Sequence, residues 1–107
     1  MRARDTFVAI ADPTRREILD MLCQRQVASA GAIAAEFPKI SRPAISRHLR
    51  VLKECGVVVS FRLGKTRNYA LNPDPIIELR EGWLKKFAGQ SVQSLVKLRQ
   101  IVESKAE

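Results

Sequence analysis

The side chains best suited to chemistry are hydroxyl and cationic groups that recur along two short stretches, residues 41–50 and 62–67. The candidates for contact with a ligand are Ser41, Arg42, Pro43, Ser46, Arg47, His48, Arg50, Arg62, Lys65 and Arg67. Residues 37–73 hold eight Lys and Arg side chains and one acidic residue, Glu54, so this third of the 107-residue chain carries +7 of the net charge of +8. A uniformly solvated surface would not segregate charge in this way, so the pattern favours a polyanion such as nucleic acid.

The spacing of apolar residues within 41–55 predicts a helix that turns its cations away from the core. Ile45, Leu49 and Leu52 fall on one face at helical spacing,. The outward face then carries Arg42, Pro43, Ser46, Arg47 and Arg50,. Because an arginine can pair with guanine in the major groove through two hydrogen bonds, we expect Arg42 and Arg47 to read bases. The hydroxyl of Ser46 is expected to contact a base or a phosphate.

Ser41 and His48 each have a second interpretation that involves no ligand. Serine is a preferred N-cap residue, so the Ser41 hydroxyl either caps the helix or contacts a phosphate at the helix N-terminus. His48 should lie at the boundary between core and outward face, where it either contacts nucleic acid or forms a hydrogen bond within the domain. It is the single histidine of the chain, and without a close cysteine pair to complete a ligand set we expect no metal site.

Two helices are predicted at the N-terminal end, before the basic stretch. A short helix is predicted over residues 5–10. A second is predicted from Pro13 to about Gln24, because Asp12 is a good N-cap and proline fits the first helical turn. Ser29 is expected to cap the helix that follows.

A helix-turn-helix is predicted at residues 29–55. Its first helix spans 29–37, where a proline ends it,. A three-residue turn, 38–40, leads to the helix over 41–55, which ends at Gly56, a residue type that favours the left-handed conformation after a helix. Two short helices joined by such a turn form this motif.

A β-hairpin is predicted at residues 57–71, where the sequence period changes from helical to alternating. Two strands, 57–63 and 66–71, flank a turn at Gly64 and Lys65,. The cations near its tip are Arg62, Lys65 and Arg67. We expect them to lie along a phosphate backbone or in a minor groove and to supply affinity rather than sequence choice, although solvated side chains are the simpler alternative.

A C-terminal helix is predicted over residues 75–104, with Asp74 as its N-cap and with Gly82 and Gly89 as points where it can bend or divide. Its apolar residues provide more apolar surface than a terminal helix needs to pack against so small a domain. With the first helix they predict a two-fold interface between two copies, formed by Phe7, Ile10, Trp83, Leu84, Phe87, Leu95, Leu98 and Val102,. A purely intramolecular contact with the core is the alternative.

Composition excludes several classes of protein. The length and the 46% hydrophobic content fit one domain, residues 1–107,. No stretch reaches the roughly 18 to 20 apolar residues of a membrane span, and the N-terminus lacks an apolar signal region, so we expect no membrane association and a cytoplasmic protein. Cys23 and Cys55 are expected to be buried apolar residues, with thiol-based sensing as the alternative. Without a glycine-rich phosphate loop or a catalytic constellation, we expect no enzyme and no cofactor.

The order of elements is that of a winged helix-turn-helix, a mainly α fold with a small β-hairpin. Four segments, 11–19, 40–52, 56–57 and 69–73, together resemble the ArsR-type family of bacterial winged-helix repressors. The resemblance covers roughly residues 6–102 and implies a homodimer, built from the first and last helices, that binds a palindromic operator and often represses its own promoter. It also implies that Ser46 to Leu49 match a DNA-contacting signature. The cysteine and histidine ligands of the family's metal sensors are absent, so the inducing signal stays open. A winged-helix module for protein interaction is the competing hypothesis.

Overall fold

Six α-helices and three β-strands make up the computed structural model, which describes residues 3–106 except for the side chains of residues 3–5, 94 and 106. The elements are α1 (Ala3–Ile10), α2 (Pro13–Arg25), β1 (Val27–Ser29), α3 (Ala30–Ala35), α4 (Arg42–Glu54), β2 (Val58–Leu63), β3 (Thr66–Leu71), α5 (Asp74–Glu81), a 3₁₀ turn (Leu84–Phe87) and α6 (Val92–Ala106). The predicted mainly α fold with a β-hairpin is confirmed. Residues 1, 2 and 107 of the predicted domain lie outside the described residues.

Side-chain caps begin three of the helices, as predicted. The backbone N–H of Arg15 donates to Asp12 Oδ2 at 3.0 Å before α2. Ser29 and Ser41 accept in the same way from backbone N–H groups three residues ahead, at 3.1 and 3.2 Å. The hydrogen bond from Arg15 holds the pKa of Asp12 below its ordinary value of 3.8, with burial opposing the shift and the nearby His48 and Arg15 side chains adding to it. Asp12 is therefore ionised at neutral pH, the form that caps a helix best.

The hairpin belongs to a three-stranded antiparallel sheet whose order is β1-β3-β2. Strand β1 pairs with the outer edge of β3, where Ala28 faces Tyr69. Strand β1 was not predicted from the sequence, because three residues are too short to show alternation. The helix predicted over 29–37 is correspondingly shorter, since residue 29 belongs to the strand and α3 ends at Ala35.

The core lies between α2, α3, α4 and the sheet. Its fully buried side chains include Ile18, Leu22, Ile33, Ile45, Leu52, Val57 and Val58. Cys55 is buried as predicted, but the prediction that Cys23 is buried is wrong, because its side chain is exposed. Cys23 lies five residues after Ile18, about 140° round α2 at 3.6 residues per turn, and so faces away from the core.

The C-terminal helical segment predicted over 75–104 is divided, and the breaks lie at the two glycines where sequence analysis had left its continuity open. Helix α5 ends before Gly82, where an added Cβ would lie 3.1 Å from the Glu78 carbonyl oxygen. A second break follows at Gly89, whose φ of 86° suits glycine best,. Asp74 is also not the N-cap: Pro73 occupies that position without a side-chain hydrogen bond, and Asp74 lies in the first turn. The two glycines thus separate α6 from α5.

Helix α6 projects from the rest of the chain. All of its described side chains are exposed. The Cα radius of gyration is 19.6 Å, well above the roughly 13 Å expected of a compact chain of this length. None of the helices in the described part of the chain is long and apolar enough to cross a bilayer.

Candidate nucleic-acid interface

Helix α4 buries one side and presents cations on the other. Ile45, Leu49 and Leu52 are at most 2% exposed. The five residues predicted to face outward are all exposed: Arg42, Pro43, Ser46, Arg47 and Arg50. The predicted orientation of α4 is therefore confirmed, whereas contact between these residues and nucleic acid stays a prediction.

The arginines of α4 have no acidic partner among the side chains that the structure describes. Ion pairs elsewhere join Arg25 to Glu36, Arg80 to Glu81 and Arg99 to Glu103. No described carboxylate lies within 4.0 Å of the guanidinium groups of Arg42, Arg47 or Arg50. Because all three residues are exposed, their hydrogen-bond donors are available to an anionic ligand,.

Ser41 begins this face and forms the predicted cap. Its Oγ accepts a hydrogen bond from the Ala44 N–H at 3.2 Å, and the residue is exposed. A hydroxyl has one hydrogen to donate besides its acceptor lone pairs. The capping hydroxyl of Ser41 can therefore donate to a phosphate at the same time, so the two interpretations are compatible.

His48 is engaged inside the protein. Its side chain is 21% exposed and its Nδ1 lies 3.9 Å from Asp12 Oδ2. The same nitrogen lies 3.3 Å from Arg15 Nη1, which belongs to a residue 33 positions earlier in the chain. This geometry favours the intradomain interpretation at Nδ1. This role of Arg15 was not predicted from the sequence, because no local pattern links residues so far apart.

The wing carries a pair of opposed cations. The β2–β3 register places Arg62 directly across from Arg67, and both side chains are exposed, as is Lys65 in the turn. Arg67 Nη1 donates to Ser60 Oγ at 3.1 Å. Like charges at directly opposed positions destabilise a β pair, and residues 57–73 contain no acidic residue to offset them,. A phosphate bound between the two guanidinium groups would relieve this repulsion.

The predicted interface residues fall into two groups. Near the core, Phe7 and Ile10 are half-buried, and the Trp83 ring contacts Phe7 edge to face at a centroid distance of 5.1 Å. Trp83 also contacts Phe87 at 4.9 Å, so these rings join α1 to the 3₁₀ turn. The remaining predicted residues form what we call the C-terminal apolar surface: Leu84, Phe87, Leu95, Leu98 and Val102. Each is between 45% and 65% exposed in the single chain.

A metal site has no support in the described part of the chain. Among the residues there, no group of three or more His, Cys, Asp and Glu side chains is arranged to hold a metal ion.

Comparison with known proteins places these features in a family context. The sequence profile described as "Bacterial regulatory protein, arsR family" matches residues 12–60. The chain is 38% identical over 91 residues to the transcriptional repressor SdpR of Bacillus subtilis, an alignment that covers 85% of this chain and 98% of that one. It is 37% identical over 83 residues to the uncharacterized HTH-type transcriptional regulator YuzN of the same species, covering 73% and 90%.

The fold has a close counterpart among solved structures. An ArsR-like transcriptional regulator from Rhodococcus sp. RHA1 superposes with a TM-score of 0.73 at 33% identity, covering 94% of this chain and 90% of that chain. The profile match includes α2, α3, α4 and the start of β2, which is the part of the chain that holds the outward cationic face of α4.

Proposed function

Because this chain belongs to the ArsR family of bacterial regulatory proteins, we propose that it is a homodimeric repressor that reads a palindromic DNA operator through α4 and the wing. Its relatives are transcriptional regulators that bind DNA, not enzymes. The observation that supports the proposal most is the outward face of α4, where three arginines lack a described acidic partner. We further propose that the operator lies in its own promoter and that the protein acts in the cytoplasm.

Base reading is assigned to Arg42 and Arg47. They are five residues apart, which is about 7.5 Å along a helix axis at 1.5 Å per residue. Successive bases lie about 3.4 Å apart along a strand, so the two guanidinium groups can reach bases about two steps apart in one major groove. Ser46 and Arg50 are placed to contact a base or a phosphate. Ser41 can donate to a phosphate at the N-terminus of α4, where Pro43 fits the first turn.

The wing is assigned to the phosphate backbone. Arg62, Lys65 and Arg67 are exposed and lack neighbouring carboxylates in the hairpin sequence. Contacts of this kind add affinity and salt dependence but carry no direct sequence information. The wing therefore strengthens binding at any DNA sequence, whereas α4 selects the operator.

Dimerisation is assigned to α1, the 3₁₀ turn and α6. Leu95, Leu98 and Val102 follow one another on the same face of α6 and are each at least 58% exposed in the single chain,. An apolar helix face of this size is covered in most stable proteins. To bind a palindromic operator, the dimer must hold its two α4 helices about 34 to 36 Å apart, the spacing of successive major grooves on one side of DNA. The whole chain then acts as a single unit, with a helix-turn-helix at 29–55, a wing at 57–71 and a dimerisation segment within 75–104.

Replacing Arg47 with alanine tests the assignment of α4. We expect Arg47→Ala to cost about 1 to 3 kcal/mol of binding free energy at each half-site, which is about 5- to 150-fold in affinity for each half-site. We also expect it to relax the base preference at one position of the half-site. A gel-shift titration of the DNA upstream of the gene measures both effects. Arg80→Ala is the matched control, because it removes the same charge from an exposed position on α5 where Arg80 pairs with Glu81. Equal binding by wild type and Arg47→Ala would contradict the assignment and favour a module for protein interaction.

A further inference from the structure

Arg15 connects three helices through one guanidinium group. Its Nε donates to the Ala9 carbonyl oxygen at 3.1 Å, and its Nη2 donates to the Val8 carbonyl oxygen at 2.8 Å. Both acceptors lie in the last turn of α1, where carbonyl groups have no partner within their own helix. The third nitrogen, Nη1, lies 3.3 Å from Nδ1 of His48 on α4. Arg15 itself belongs to α2.

The contact with Arg15 favours one of the two tautomers of the His48 ring. A guanidinium group has donors only and stays protonated, so His48 Nδ1 must be the acceptor. A neutral imidazole that accepts at Nδ1 has its hydrogen on Nε2. The alternative, donation from Nδ1–H to Asp12 Oδ2, spans 3.9 Å and exceeds hydrogen-bond distance,. The contact therefore favours the Nε2–H tautomer of His48 over the Nδ1–H tautomer,.

We propose that Arg15 is a positioning residue for operator recognition, which ties the orientation of α4 to α1 by way of His48. The proposal rests on the proposed function, because it assumes that α4 reads DNA and that α1 takes part in the dimer. On the opposite side of this connection, Phe7 of α1 contacts Trp83 in the proposed dimerisation segment. Through Arg15, the arrangement of the two protomers is transmitted to the helix that reads bases.

Arg15 is not itself placed to bind DNA. All three of its guanidinium nitrogens face acceptors inside the protein, and the residue is partly buried. A lost phosphate contact would weaken binding to all DNA sequences and lower the salt dependence. A lost positioning contact instead weakens binding to the operator while binding to unrelated DNA and the salt slope stay the same.

The substitution Arg15→Lys separates the two roles. Lysine keeps the charge but cannot hold three acceptors in one plane. We expect operator affinity to fall about tenfold or more, which corresponds to about 1.4 kcal/mol, with unchanged affinity for an unrelated duplex and an unchanged salt slope. Nitrogen-15 NMR of the free protein should show His48 passing from the single Nε2–H tautomer to a mixture of both tautomers.

Arg16→Lys is the matched control. Arg16 is the neighbouring arginine, and its Nη1 donates to the Ile10 carbonyl oxygen of α1 at 2.6 Å without a contact to α4. This variant should keep the His48 tautomer and the ratio of operator to unrelated-DNA affinity within about twofold. If Arg15→Lys lowers only the melting temperature and keeps both the ratio and the tautomer, Arg15 has a purely structural role and the proposal is wrong.

A variant on the α4 side keeps the test decisive if Arg15→Lys fails to fold. His48→Phe keeps a planar ring but removes the Nδ1 acceptor, and we expect the same loss of operator preference at an unchanged salt slope. Where both single variants fold, Arg15→Lys should have little further effect in the His48→Phe background, because both substitutions remove the same hydrogen bond. Additive effects, or full operator preference in His48→Phe, would overturn the proposal. If wild type itself shows no preference for the upstream DNA, it is the proposed function that fails, and the tautomer readout still reports on the link.

Discussion

Leu98→Glu is expected to dissociate the proposed dimer and to weaken operator binding by about 10²- to 10⁴-fold. Leu98 is 58% exposed on α6, between Leu95 and Val102 on the same face. A carboxylate there must lose its hydration when the helix packs against a second copy, which costs several kcal/mol without a partner charge. A monomer then binds each half-site independently. It loses the affinity gained when two linked subunits bind two half-sites together, and this gain of about 10²- to 10⁴-fold is the expected loss.

Gln93→Glu is the control for this substitution. It introduces the same charge on the same helix, but residue 93 is exposed on the polar face opposite Leu98,. Sedimentation at micromolar concentration should give a dimer for wild type and Gln93→Glu and a monomer for Leu98→Glu. Fluorescence anisotropy should show full affinity for operator DNA in wild type and Gln93→Glu and a weakened affinity in Leu98→Glu. A monomeric wild type, or a Leu98→Glu variant that stays dimeric and binds with full affinity, would show that the C-terminal apolar surface is not the interface.

Salt is expected to weaken binding steeply. A dimer that neutralises about six to ten phosphates should lose about 10³- to 10⁵-fold in affinity between 50 and 200 mM salt, because each neutralised phosphate releases counterions. The cations proposed to supply this effect are those of the wing and α4. The measurement is the operator affinity at four or five salt concentrations. The slope of the logarithm of affinity against the logarithm of salt concentration gives the salt dependence.

A substitution in the wing separates the salt dependence of binding from base recognition. Lys65→Gln removes one cation from each protomer, so the slope should fall by about two units, at about 0.9 per lost phosphate contact. The preference for operator over unrelated DNA should stay unchanged, since backbone contacts do not read sequence. Lys39→Gln is the control, because it removes an exposed cation from the turn before α4. It measures how much affinity is lost when one positive charge is removed outside the wing. A wild-type affinity that does not change with salt concentration would contradict binding to the phosphate backbone.

The part of the fold that is proposed to read DNA was predictable because local signals agree there. In α4, a serine N-cap, a proline in the first turn, the apolar spacing of Ile45 and Leu49, and Gly56 after the last turn all indicate the same helix. The hairpin was predictable for a similar reason, since Gly64 has a φ of 63° in a two-residue turn between alternating segments,. The exposure of the α4 arginines follows from this periodicity.

The features that sequence analysis missed depend on contacts between distant residues. Strand β1 is a strand because β3 offers it an unpaired edge, and three residues contain no period that reveals this. Gly82 and Gly89 were recognised as points of weakness, but only the packing around them decides whether a helix continues. The contact between Arg15 and His48 spans 33 positions and arises from the way α2 crosses α4. Burial of Cys23 was predicted from its residue type, whereas its angular position on α2 places it outside.

The most direct test of the account is a hydroxyl-radical footprint of the protein on the DNA upstream of its gene. Two α4 helices related by a two-fold axis should protect two segments whose centres lie about 10 to 10.5 base pairs apart or a multiple of that spacing, arranged symmetrically about one point. Methylation of guanine N7 within those segments should interfere with binding by wild type. Protection of a single segment, or protection without regard to sequence, would contradict the reading of a palindromic operator by a symmetric dimer.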